Sequence, residues 1–123
     1  MILLTPEIRA RLAANGREPD RDHAPVLKLF NPIGEGVWLA TMIETDGDLL
    51  YGVADLGFGC PEAGHFSLRE IEALRLPLGL GIERDILFET AIPLSIWIDV
   101  VGEAGSLRAA ERIVARLERG AQP

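Results

Sequence analysis

The chain is predicted to be α+β, with a four-stranded, mostly antiparallel sheet and helices packed on one face and at the ends. Three observations lead there. Residues 26–30, 37–43 and 49–56 are strand-like and joined by short, turn-rich connections, the pattern of an antiparallel meander. Capped helical segments lie before and after them, which suits an α+β arrangement. At 123 residues, 48% apolar and 25% charged, the chain is expected to be one domain with a real core.

Thr5-Pro6 opens the first helix, since Thr caps and Pro is tolerated at the first helical position. Ile8 and Leu12 share its inner face, and Asn15-Gly16 closes it. Residues 26–30 alternate apolar side chains with Lys28, and residues 31–36 form a loop. Residues 37–43 are bulky and β-branched. Asp46-Gly47 turns the chain into the third strand, because this pair accepts the positive angles of a tight hairpin. Ser67 and Glu70 form a capping box for a helix carrying Leu68, Ile71 and Leu74, which Pro77 and Gly79 end. Residues 83–89 are the expected fourth strand, with Ile86 and Phe88 alternating against charges. Pro93 opens a further helix with Leu94, Trp97, Ile98 and Val101 at helical spacing; its β-branched content keeps a strand open as the alternative. The last helix spans about 106–119, with Ser106 as its cap.

Residues 55–65 concentrate most of the reactive chemistry. They hold the only cysteine, Cys60, with His65, Asp55, Glu62, Pro61 and the glycines 57, 59 and 64. Thiolate, imidazole and carboxylate suit a zinc ion, and a Cys60 nucleophile with His65 as base is a second reading. His23, beside Asp22, is the group that could complete either set through space. Against both stands a purely structural turn: Gly57 and Gly59 supply backbone angles closed to other residues, Pro61 fixes a bend, and Cys60 acts as a small apolar side chain. The turn is the preferred reading, with positive φ expected at Gly57, Gly59 or both. One Cys and two His make an incomplete zinc set, so no tightly bound metal or other cofactor is expected. Glu44, Asp46 and Asp48 crowd one turn without the later Glu of a calcium loop, and Gly34-Glu-Gly36 lacks the Lys-Ser/Thr of a phosphate loop.

Several blocks resemble a known family. They are Leu3-Leu-Thr-Pro-Glu-Ile-Arg9, Asp22-His-Ala-Pro-Val-Leu-Lys-Leu-Phe-Asn-Pro32, Trp38-Leu-Ala-Thr41, Asp55-Leu-Gly-Phe-Gly-Cys-Pro-Glu62 and Pro77-Leu-Gly-Leu-Gly-Ile-Glu-Arg-Asp85. Together they are similar to the domain of unknown function 2958 family across about residues 1–100. The resemblance implies a bacterial protein of the kind carried on plasmids and other mobile elements. It brings no established reaction and no catalytic residues.

Charge narrows the function classes further. The formal charge is −7, and it is uneven. Residues 1–105 carry eight basic and seventeen acidic groups, for −9, whereas 106–123 carry four Arg and two Glu, for +2. Such a body repels a phosphate backbone, so little affinity for bare duplex DNA is expected. Arg108, Arg112, Arg116 and Arg119 fall on one stripe of the last helix, opposite Leu107, Ala110, Ile113, Val114 and Leu117. A solvated Arg face on a docked helix, with Ile113 and Leu117 buried, is the plain expectation. Contact with an acidic protein partner, or self-association, is the sharper one. No apolar run is long enough to span a membrane, the N-terminal residues do not read as a secretory signal, and one cysteine forms no internal disulfide, so a cytoplasmic location is expected. The functional reading is a non-catalytic interaction or accessory protein of a mobile element, acting on host-defence or DNA-processing proteins. The alternative is a small metal-binding protein or Cys/His-dependent enzyme centred on residues 55–65.

Overall fold

The computed structural model describes residues 2–120. Along the chain run α1 (Pro6–Gly16), β1 (Leu27–Phe30), β2 (Val37–Ile43), β3 (Leu49–Asp55), β4 (Glu62–Ser67), α2 (Leu68–Glu72), β5 (Glu83–Arg84), α3 (Leu94–Ala104) and α4 (Leu107–Gly120). The strands form one antiparallel sheet in the order β4-β3-β2-β1-β5. The expected β1-β2-β3 meander is present, and residues 94–104 are helix rather than strand.

The sheet has five strands, not four. The turn expected over residues 55–65 ends at Pro61, and β4 follows it although Glu62, Ala63, Gly64 and Ser67 are poor strand formers, because β3 offers it a full edge from Ala54↔Glu62 to Leu49↔Ser67. The strand expected over 83–89 shrinks to two residues. Asp85 ends it: its Oδ1 accepts from Leu87 N at 3.0 Å and its carbonyl from Phe88 N at 3.2 Å, a side-chain-stabilised turn that leaves Ile86 and Leu87 exposed. Leu74 is also exposed, because α2 stops at Glu72.

Helices cover both faces of the sheet, not one. Neighbouring residues of β2 point into different cores. Trp38 and Ala40 join Leu12 of α1 and Leu68 and Ile71 of α2. Val37 and Leu39 join Leu94, Trp97 and Val101 of α3 and Leu107, Ala110 and Val114 of α4. Burial on both sides explains why β2 is so uniformly apolar. It also explains two glycines by close approach. A Cβ at Gly52 would lie 1.8 Å from Leu39 O, and one at Gly16 would lie 2.6 Å from Ile43 O. Gly16 therefore serves contact between α1 and β2 rather than a left-handed helix stop.

Ile113 and Leu117, expected to be buried, are 40% and 48% exposed. The docked stripe of α4 is centred on Leu107, Ala110 and Val114, which places Ile113 and Leu117 on its flank.

Three of the four helices are capped from a distance. Thr5 caps α1 locally, its hydroxyl accepting from Ile8 N. Asp48 Oδ1 accepts from Arg69 N of α2 at 2.8 Å, Asp22 Oδ1 from Ser95 N of α3 at 3.1 Å, and Asp55 Oδ2 from Leu107 N of α4 at 2.8 Å. A carboxylate at a helix start satisfies a free amide and faces the positive end of the dipole. These bonds tie the loops of the meander to the helices on both faces.

Candidate functional site

The reactive residues of 55–65 do not converge. Asp55 is buried, and both its oxygens are engaged: Oδ1 accepts from Gly57 N at 2.9 Å and Oδ2 from Leu107 N. Cys60 is exposed beside a shallow pocket of about 200 Å³ formed with Ala54, Leu56, Phe58 and Glu62. His65 lies against the Tyr51 ring, with centroids 5.0 Å apart, and its Nε2 is 3.3 Å from Glu44 Oε1. Strand alternation sends Glu62 and His65 to opposite faces of β4. His23 Nε2 is held 2.8 Å from Glu18 O. Among the described residues no group of three or more His, Cys, Asp or Glu is placed to share a metal ion.

The loop is instead a pinned turn. Gly57 and Gly59 have φ of 88° and 80°, as expected. A Cβ at Gly57 would lie 2.4 Å from Glu35 Cβ. The turn lifts Phe58 into solvent at 82% exposure, with Leu56 half exposed beside it.

The carboxylates of Asp46, Asp48 and Asp22 are also engaged. Asp46 Oδ1 accepts from Asp48 N and Leu49 N, which holds its carboxyl below the ordinary value. Asp48 is lowered by the Arg69 amide and the Ser67 hydroxyl, and Asp22 by the Ser95 hydroxyl and amide.

The Arg row lies where the sequence puts it. Arg108, Arg112, Arg116 and Arg119 are all exposed on α4. Arg108 donates to Gly34 O at 2.9 Å. It also lines a cleft of about 320 Å³ with Glu35, Gly57, Gly59, Gly105 and Ser106. The pinned turn and the Arg row are thus joined into one continuous surface at the start of α4.

A family model described as protein of unknown function (DUF2958) matches residues 3–108. The chain belongs to this family. No curated protein and no solved structure matches it. The DUF2958 match takes in α1, the whole sheet, α2 and α3, and ends in the first turn of α4 at Arg108.

A second feature of this DUF2958 protein is assembled from residues far apart in its sequence. Lys28 is its one lysine among twelve basic residues. Its Nζ lies 2.9 Å from Glu111 Oε2, 3.6 Å from Asp85 Oδ2 and 5.8 Å from the centroid of the Phe30 ring. Beside this cluster lies a cavity of about 220 Å³, bounded by the residue 85–90 turn, Trp97 and α4. Trp97 Nε1 and Glu111 Oε1 are buried there without a hydrogen-bond partner. An unmet buried polar atom costs about 1–3 kcal/mol. The residues involved lie on β1, the turn after β5, α3 and α4, and no local motif links them. The one signal in the sequence was the isolated lysine within a strand.

Proposed function

We propose that this DUF2958 protein is a non-catalytic interaction protein, an accessory factor of a bacterial mobile element that acts on another protein. The observation that carries this reading is Phe58. A large aromatic side chain, 82% exposed, stands on a turn that Asp55 ties both to its own backbone and to α4. An exposed aromatic held in a fixed place suits a contact surface, where such side chains act as anchors. Leu56 adds apolar area on one side, and the Arg108 cleft and the Arg row extend the surface on the other.

The matching partner presents acidic side chains around an apolar recess. Its acidic groups are drawn locally to the Arg row, and their number is far below the dense charge of a nucleic acid, which the −9 of residues 1–105 opposes. The mobile-element setting and a host-defence or DNA-processing target rest on the family resemblance, and the location proposed for this role is the cytoplasm. No described helix is long and apolar enough to cross a membrane.

Recovery of partners from the native host tests the reading. The full chain should retain one protein that is lost from Phe58→Ser and from the Arg112→Glu, Arg116→Glu double variant, and kept by Cys60→Ser. A partner indifferent to the first two would contradict this surface, and one lost with Cys60→Ser would return the function to the thiol.

A further inference from the structure

The geometry points to a ligand site in the cavity beside Lys28, for a small organic amine that carries a neighbouring oxygen acceptor. None of the residues involved belongs to the Phe58 turn or the Arg row, so this site stands apart from the partner surface.

Two buried atoms carry the argument. Trp97 Nε1 and Glu111 Oε1 lack hydrogen-bond partners, and both side chains line the cavity. The indole N–H can only donate, and a carboxylate oxygen accepts. Trp97 is 2% exposed, so bulk water does not serve its N–H. In folded proteins such groups are met by a ligand or by ordered water.

The remaining lining decides which ligand. Asp85, Glu89, Glu111 and Glu118 outnumber the single cation Lys28, and Phe88 and Trp97 supply an aromatic wall. Carboxylates beside aromatic rings favour an organic cation. Lys28 occupies Glu111 Oε2 and leaves Oε1 for a second ammonium. The ligand's oxygen accepts from Trp97 Nε1. A hydrocarbon amine would leave the indole unpaired, and a simple anion would leave Glu111 unpaired. A larger cleft of about 490 Å³ shares Lys28, Asp85 and Phe88 with the cavity. The volume suits amino alcohols and small amino acids.

The test uses the two indole N–H resonances of the ¹⁵N-labelled full chain. Trp38, on the other face of the sheet, is the internal control, and Trp97→Phe assigns the pair. At matched pH and salt, ethanolamine should shift the Trp97 resonance saturably with a Kd on the order of millimolar. Propylamine and glycolate should not, and Trp38 should stay fixed. Glu111→Gln should weaken ethanolamine binding about tenfold, equivalent to about 1.4 kcal/mol. The proposal fails if ethanolamine leaves Trp97 unmoved at about 50 mM, well above a millimolar Kd, or if all three compounds act alike. It fails equally if a crystal structure grown with ethanolamine shows a single water bridging Trp97 and Glu111. The comparison of compounds on the wild-type chain stands even if Glu111→Gln unfolds.

Discussion

Replacing Asp55 by Ala should unfasten the pinned turn and the start of α4 together. The side chain is 7% exposed and accepts two backbone N–H bonds, from Gly57 at 2.9 Å and Leu107 at 2.8 Å. The two losses are unequal. Gly57 is exposed, so water can replace its partner, at a cost of about 1 kcal/mol. Leu107 N lies in a buried bond at a helix start; stranding it costs about 2 kcal/mol, the upper range for a lost cap. Asp55→Ala should therefore cost about 3 kcal/mol, or roughly 12 °C in Tm for a chain of this size. Asp55→Asn keeps one acceptor and turns an amide toward the other N–H, so about half that loss is expected. Thermal unfolding followed by circular dichroism reads the Tm shift and urea unfolding the free energy, with Cys60→Ser as the neutral comparison. A shift under about 2 °C for Asp55→Ala would refute the strut and restore Asp55 as a ligand or catalytic group.

Further outcomes follow from the same contacts. Val114→Asp buries a charge at a site 1% exposed and should cost at least about 4 kcal/mol, while Leu117→Asp, on the flank, should cost about 0.5 kcal/mol or less by thermal unfolding. Gly52→Ala should prevent soluble expression or lower Tm by more than about 10 °C, because its Cβ would meet the Leu39 carbonyl at 1.8 Å. The carboxyls of Asp22, Asp46 and Asp48 are held below their ordinary 3.8, so the stability they add is present above that pH and lost as pH falls through their folded-state values. Asp48→Asn should accordingly flatten the stability profile below about pH 4, as read by urea midpoints across pH. A random DNA duplex should show no sub-micromolar retardation at physiological salt, given the −9 of the acidic body.

The elements with local causes were legible in the sequence. Thr5 and Ser67 cap helices through their own hydroxyls, and Gly57 and Gly59 take positive φ where the turn demands it. What was not legible depends on partners far along the chain. β4 is a strand because β3 pairs with it, not because its residues prefer one. Asp22, Asp48 and Asp55 bond amides 73, 21 and 52 positions away, so nothing local in the sequence marks them as helix caps. The same limit hid the cavity, since Lys28 and Glu111 meet across 83 residues. The amphipathic pattern of α4 located its apolar side but not which part of that side the sheet and α3 would cover. Val114 is buried while Ile113, one position away, is not.

Site-specific photocrosslinking in the native host tests the central claim most directly. A benzoyl-phenylalanine at position 58 probes the pinned turn, one at position 116 probes the Arg row, and one at Thr45, in the exposed hairpin at the opposite end of the sheet, is the control. The account predicts that positions 58 and 116 yield the same protein adduct and that Thr45 does not. No adduct at 58, or the same adduct at all three positions, would contradict a dedicated partner surface built on Phe58 and the α4 arginines.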